Sequence, residues 1–163
     1  MTEARMVSID PSSTSTGMAL FINGELNDYG AIQESSRTPA DDRIMIVGGK
    51  ILKALDIWNP TMVYVEYPYG SKKSPRVGQV ICQLIGIIKA WCIKHGAYIE
   101  EFQPGTWRKE LGFNQGSGVK REVLKKESVE AVFDIYGINV IDDISDAILI
   151  GEAAIRKYSD EEN

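Results

Sequence analysis

The chain has 163 residues, of which 44% are hydrophobic and 25% charged, with 15 Gly and 6 Pro. That composition supports one globular domain with a full core and leaves no room for two sizeable ones. The net charge of −5 by itself argues against a polyanionic partner, yet residues 70–126 hold eleven Lys and Arg against four Asp and Glu, which is +7 and leaves −12 elsewhere. Such a split fits a phosphate-binding face beside an acidic site, or simply solvated helix faces.

Residues 5–9, 17–22 and 26–32 are short and apolar and read as strands, joined by the Ser/Thr run that ends at Thr16 and by Asn23-Gly24, the dipeptide most typical of a two-residue hairpin. The chain therefore opens as an antiparallel meander. Thr38-Pro39, followed by Asp41 and Asp42, has the Pro and the acids of a helix start; Ile44, Val47, Ile51 and Leu55 follow at helical spacing until Asn59-Pro60 ends the pattern. Residues 62–65 form a fourth strand, and strand-helix-strand implies a parallel pair with a crossover.

After a polar loop over 67–74, Val77, Ile81, Leu84, Ile88 and Trp91 recur three or four apart, broadened by Val80, Ile85 and Cys92. They predict a long apolar helix that either sits centrally or packs on a second subunit. A fifth strand falls at 97–102, a helical turn at 107–111, a flexible Gly-Phe-Asn-Gln-Gly-Ser-Gly loop at 112–118, a helix from 119 to about 135, and a last helix from near Asp143 to Tyr158. The expectation is one domain over 1–158 with a frayed tail at 159–163. Its plan is mixed α/β.

Cys82 and Cys92 lie on one predicted helix, where ten residues at a rise of roughly 1.5 Å hold them about 15 Å apart, too far for a disulfide. No stretch of signal-peptide length opens the chain, and the most apolar run, 80–93, is interrupted by Gln83 and Lys89. The expected setting is a reducing cytoplasm, with no membrane.

Two apolar strands end on an acid, at Asp10 and at Glu66. An acid that terminates a buried strand suffers desolvation unless it is paired or binds a cation. Asp143 and Asp146, three apart at the start of the last helix, share one face. Taken singly, Asp10 also suits a turn before Pro11, and the two Asp suit a helix N-terminus. Gathered together, the four carboxylates make an oxygen-ligand set for Mg²⁺ or Mn²⁺. Zinc is disfavoured, since the single His95 reads as a helix-end residue and there is no close Cys pair. Nothing resembling a nucleophile elbow surrounds any serine.

Ile9-Asp10-Pro11-Ser12-Ser13 with Thr16-Gly17, Val65-Glu66 with an aromatic three residues on, Gly-Ser-Gly before Lys120, and Asp143-x-x-Asp146-Ala147 occur in an order that resembles the RuvC-type Holliday junction resolvases of the RNase H-like (retroviral integrase) superfamily. The likeness extends from Val7 to about Ala154 and is nearer to the short bacteriophage members. It implies an RNase H-like fold with a five-stranded mixed sheet flanked by helices, a homodimer, and a magnesium-dependent endonuclease that resolves four-way DNA junctions in recombination and repair. Two Mg²⁺ per site are implied, with Mn²⁺ able to substitute, as is a host cytoplasm for a phage-encoded protein.

Carried over by position, Asp10, Glu66, Asp143 and Asp146 match the metal-binding catalytic acids. Asp142 adjoins them but lacks the three-residue spacing to Asp146. Lys120 matches a basic residue near the scissile phosphate, and Tyr69 an aromatic that approaches unpaired bases. Lys72, Lys73, Arg76, Arg108, Lys109 and Arg121 complete the expected DNA contacts. Tyr67-Pro68 directly after the Glu departs from the usual bacterial pattern. Two other readings compete: an RNase H-like nuclease acting on RNA-DNA hybrids, and an actin-like phosphate-binding ATPase fragment, which would need a second Asp-Ser-Thr turn that this chain lacks.

Overall fold

The computed structural model describes residues 2–68, 75–113 and 118–161. Five strands and five helices follow in the order β1 (Arg5–Asp10), β2 (Ser15–Ile22), β3 (Glu25–Gln33), α1 (Ala40–Trp58), β4 (Met62–Glu66), α2 (Pro75–His95), β5 (Tyr98–Phe102), α3 (Pro104–Glu110), α4 (Arg121–Tyr136) and α5 (Asp142–Glu161). The sheet runs β3-β2-β1-β4-β5. β1, β2 and β3 pair antiparallel, whereas β1-β4 and β4-β5 pair parallel. The hairpin turn falls at Asn23 and Gly24, both with positive φ, as a turn of the primed type demands. Asn59 closes α1 in the left-handed conformation, its N–H returning to the Leu55 carbonyl just before Pro60.

Both faces of the sheet are covered, so β1 and β4 read as continuous apolar runs instead of alternating ones. Val7, Ile9, Val63 and Val65 point to one side, into a core with Ile44, Val47, Ile51 and Leu55 of α1 and Leu84, Ile88 and Trp91 of α2. Met6 and Tyr64 point to the other, where Phe102, Trp107, Val132 and the α5 residues Ile148, Leu149 and Ile150 form a second core. Period-two alternation then assigns Asp10 and Glu66 to this second side, the side of α5.

The long apolar helix is α2. By length and composition it could cross a membrane, yet its buried stripe of Leu84, Ile85, Ile88, Trp91 and Cys92 packs within this domain. Trp91 further donates its indole N–H to Asp56 of α1 at 2.7 Å. Both cysteines are free, and His95 ends the helix, its Nδ1 2.8 Å from the Trp91 carbonyl. The last helix reaches Glu161, three residues beyond its expected end.

α5 is buried nearly all round and lies directly on β1 and β2. The Ser8 hydroxyl donates to the Ala147 carbonyl at 2.6 Å and ties strand to helix across 139 residues of sequence. Gly17 permits the closest approach: a Cβ there would stand 1.9 Å from the Asp143 carbonyl oxygen and 3.2 Å from the Ala147 Cβ. Backbone cannot yield as a flexible side chain does, so Gly17→Ala must push the start of α5 off the sheet. We expect this substitution to cost at least about 1–3 kcal/mol, the range for overpacking. Gly30→Ala, at a position where an added Cβ meets nothing within 4 Å, should be nearly neutral. Urea unfolding of the two variants beside the parent checks the contrast.

Candidate active site

Where β1 and β4 run parallel, their carboxyl ends open into a cavity of about 510 Å³, the usual place for a site in a sheet with parallel strands. Asp10 is the last residue of β1 and Glu66 the last of β4. Since Ile9 pairs with Val65, the two acids follow as neighbours on the α5 side. Asp143 and Asp146 enter from the first turns of α5, and all four carboxylates line the cavity. Three elements distant in sequence thus deliver the four acids picked out from spacing. The loop after Asp10 is tied by Thr16, whose hydroxyl donates to the Ser12 carbonyl at 2.5 Å and accepts from the Ser12 N–H at 3.0 Å.

Asp142 and Asp143 part company. Asp142 is paired with Lys125 of α4, whose ammonium holds its carboxyl below the ordinary range, while Asp143 lines the cavity without that partner. Its three-residue spacing to Asp146, a separate ground, singles out the same residue.

Burial and mutual repulsion dominate the electrostatics. Burial, then Glu66, Asp146 and Asp143, pushes the Asp10 carboxyl well above its usual value, against a smaller opposing effect of Arg108. Burial raises Glu66 to about 7, opposed by the Trp107 indole and reinforced by Asp146. Asp146 is raised by burial as well, opposed first by the nearby Ser128 hydroxyl and then by Arg108. Its Oδ1 is buried with no hydrogen-bond partner, as is Nη1 of Arg108, and the two side chains stand 3.7 Å apart through Oδ2 and Nη2, beyond hydrogen-bond length. An unpartnered buried carboxylate oxygen among acids suits a hard divalent cation. Among the described residues no three Asp, Glu, His or Cys side chains close on one point as a finished metal cage. The acids stand apart around the cavity, their repulsion offset by raised pKa values, by Arg108 and Arg121 and, at Glu66, by the Trp107 indole.

The expected DNA contacts divide. Arg108 does not lie on an outer face: it is 8% exposed and turned into the cavity beside Asp146. Arg121 lines the cavity together with Lys125, whereas Lys120, exposed at the N-cap of α4, is not among the lining residues. Lys109 is exposed on α3. Arg76 lines an adjoining cavity of about 310 Å³ with Arg43, Ser13 and Thr14. Tyr69, Lys72 and Lys73 lie outside the described residues.

Two residues with a part here went unrecognised in the sequence. Trp107 donates its indole N–H to Glu66 Oε2 at 2.6 Å, although 41 positions separate them. Arg43 donates to Ser13 Oγ at 3.2 Å and braces the loop after Asp10. Neither contact has a local signal, because each joins elements whose relative placement only the sheet order sets.

A mixed five-stranded sheet with strand order 3-2-1-4-5, with acids at the ends of two adjacent strands and on the last helix, is an α/β fold of the RNase H-like class. No family model matches the chain. Within that class the chain is RuvC-like along nearly its whole length. It is 24% identical over 160 residues to the crossover junction endodeoxyribonuclease RuvC of Caldicellulosiruptor saccharolyticus, covering 95% of this chain and 94% of the relative. It is 26% identical over 159 residues to the RuvC of Synechocystis, covering 93% and 90%. In fold it matches Thermus thermophilus RuvC, solved in complex with a Holliday junction substrate, with a TM-score of 0.73 at 18% identity over 95% of this chain and 96% of that one. It also matches the fowlpox virus resolvase, solved with Holliday junction DNA, with a TM-score of 0.62 at 17% identity over 94% and 98%.

The raised acids make stability depend on pH in a definite direction. A carboxyl whose native pKa lies above its unfolded value stays protonated in the native state after the unfolded chain has lost that proton. Stability is therefore full below the ordinary Glu value of 4.5 and is lost as pH rises toward about 7, the native value of Glu66. In chelator the melting temperature should fall across this window, and Glu66→Gln should flatten the fall. Millimolar Mg²⁺ should restore the parent at pH 8 but do little for Glu66→Gln. Thermal unfolding followed by circular dichroism checks all three.

Proposed function

We propose that this protein is an endonuclease that resolves four-way DNA junctions by metal-dependent phosphodiester hydrolysis. The observation that carries the proposal is the cavity itself: four carboxylates from β1, β4 and α5 share one cavity with Arg108, Arg121 and Lys125, in a chain that is RuvC-like along nearly its whole length. Acids without cations would repel a phosphate, and cations without acids would only bind one. Both together suit hydrolysis at a phosphate.

Asp10, Glu66, Asp143 and Asp146 are the residues that would hold two Mg²⁺, with Mn²⁺ as a substitute. Ions of this kind supply an activated water and neutralise charge that develops on the phosphate oxygens. The chain's own groups orient and hold. The first turn of α4 directs Arg121 into the cavity, where its guanidinium can take phosphate oxygens two at a time. Arg76 and Arg43 flank the entrance and suit the neighbouring backbone phosphates. Lys109 and Lys120, exposed on α3 and at the start of α4, and Tyr69, Lys72 and Lys73 are the further proposed DNA contacts, with Tyr69 the residue suited to stack on an unpaired base at the exchange point.

Four-way junctions are near two-fold symmetric and need two matching cuts, which a homodimer with two sites supplies. α2 leaves apolar surface outside the core, with Ile93 83% exposed, and is the element proposed for contact between subunits. Sedimentation at micromolar concentration should return a dimer, and a monomer both with and without junction would defeat this part of the proposal.

The principal experiment presents four-way junction, fork, linear duplex and RNA-DNA hybrid with Mg²⁺. The expected result is cutting of the junction into paired, religatable nicks. Preference for the hybrid would point to the RNase H-like alternative instead. Asp10→Asn, Glu66→Gln, Asp143→Asn and Asp146→Asn should each lower cleavage by about 100-fold or more, the size of effect seen when a group acting on developing charge is removed. Junction binding should persist or tighten, because each change removes a charge that repels phosphate. A fully active Asp146→Asn protein would remove the α5 pair from the site.

A further inference from the structure

The short helix α3 carries two consecutive side chains that approach different acids of the cavity, Arg108 from its lining and Trp107 from the core behind it. Trp107 is 1% exposed and donates its indole N–H to Glu66 Oε2 at 2.6 Å. Its ring carries the Arg108 guanidinium 4.4 Å from the centroid, and Arg108 reaches Asp146 of α5. Phe113 supports the indole edge-on at 6.3 Å between centroids. The second core, with Phe102 and Ile148, closes around it. An indole N–H is a donor only, so it favours an accepting carboxylate oxygen and holds it in one direction. It engages one oxygen of Glu66 and leaves Oε1 to a cation.

We propose that Trp107 is a positioning residue: its indole N–H fixes the Glu66 carboxylate in its cation-binding orientation, while its ring face directs Arg108 toward Asp146. One buried aromatic thus sets both sides of the cavity, through an acid of β4 and a cation facing α5. A glutamate has three side-chain torsions and loses freedom when it binds an ion. With Trp107 in place that ordering is already done when the protein folds, which is the advantage of a site prepared by its supporting residues. The inference rests on the nuclease reading for its kinetic consequence, and on the Trp107-Glu66 contact alone for its physical one.

Trp107→Phe separates positioning from packing, since Phe retains an aromatic ring in the core and a face for Arg108 but has no N–H. The variant should melt within a few degrees of the parent and bind junction as tightly. Its half-maximal Mg²⁺ concentration for cutting should rise roughly tenfold or more, in keeping with the loss of a hydrogen bond to a charged group, and kcat should fall while KM for the junction holds. The second measurement needs no activity. In ¹⁵N-labelled protein without DNA, the indole signal missing from Trp107→Phe identifies Trp107, and the Trp58 and Trp91 signals serve as references. That signal should move in Glu66→Gln and on titration of the wild type with Mg²⁺.

A Trp107 signal indifferent to both, or a Trp107→Phe protein with the parent's Mg²⁺ requirement, overturns the proposal and leaves the nuclease reading intact. Should the chain cut no junction while the signal still responds to Glu66→Gln and to Mg²⁺, positioning stands and the nuclease reading falls. Should Trp107→Phe fail to fold, the Glu66→Gln shift and the Mg²⁺ titration decide the matter on the wild-type frame.

Discussion

Four carboxylates around one partly desolvated cavity repel one another, and the rest of the molecule is arranged to hold them there. Two unit charges about 4 Å apart at an effective dielectric near 20 interact with roughly 4 kcal/mol, and more widely spaced charges with less, so even acids that stand apart around a cavity weigh against the roughly 5–15 kcal/mol that stabilises a typical domain. The protein meets this cost in two ways that its structure displays. Asp10, Glu66 and Asp146 have raised pKa values, so part of the charge is relieved by protons. Arg108 stands 3.7 Å from Asp146 and offsets part of the remainder.

Rigidity supplies what electrostatics withholds. β1 and β4 are adjacent, parallel and buried on both faces, so their last residues have little freedom to separate. α5 cannot withdraw its first turns, because the Ser8 hydroxyl holds Ala147 and Gly17 receives the Asp143 backbone at close range. Fully burying side chains such as Ile148, Leu149 and Ile150 contributes about 1.5–3 kcal/mol each toward holding α5 on the sheet.

Charge is also sorted in space. The acids sit inside the cavity, while Arg121 and Lys125 of α4 line it and Arg76 and Arg43 flank it. Screening at physiological salt acts over about 8 Å, so a phosphate near the entrance meets the nearby cations more than the acids elsewhere in the chain. The overall charge of −5 is therefore no guide to the partner.

Much of this was legible in the chain because it depends on neighbours in sequence. Asn23-Gly24 makes its turn and Asn59-Pro60 ends α1 through local backbone preferences that no distant contact needs to supply. The order of Asp10, Glu66, Asp143 and Asp146 picks out four acids that line one cavity, since strand ends and helix starts set the direction of their own side chains. Tertiary structure alone decided the rest. Whether Arg108 faces solvent or the acids depends on how α3 docks, and helical spacing is silent on docking. The bond from Trp107 to Glu66 exists because β4, β5 and α3 are assembled side by side. Periodicity records which residues share a face of one element, whereas contacts between elements arise from packing that no single segment encodes.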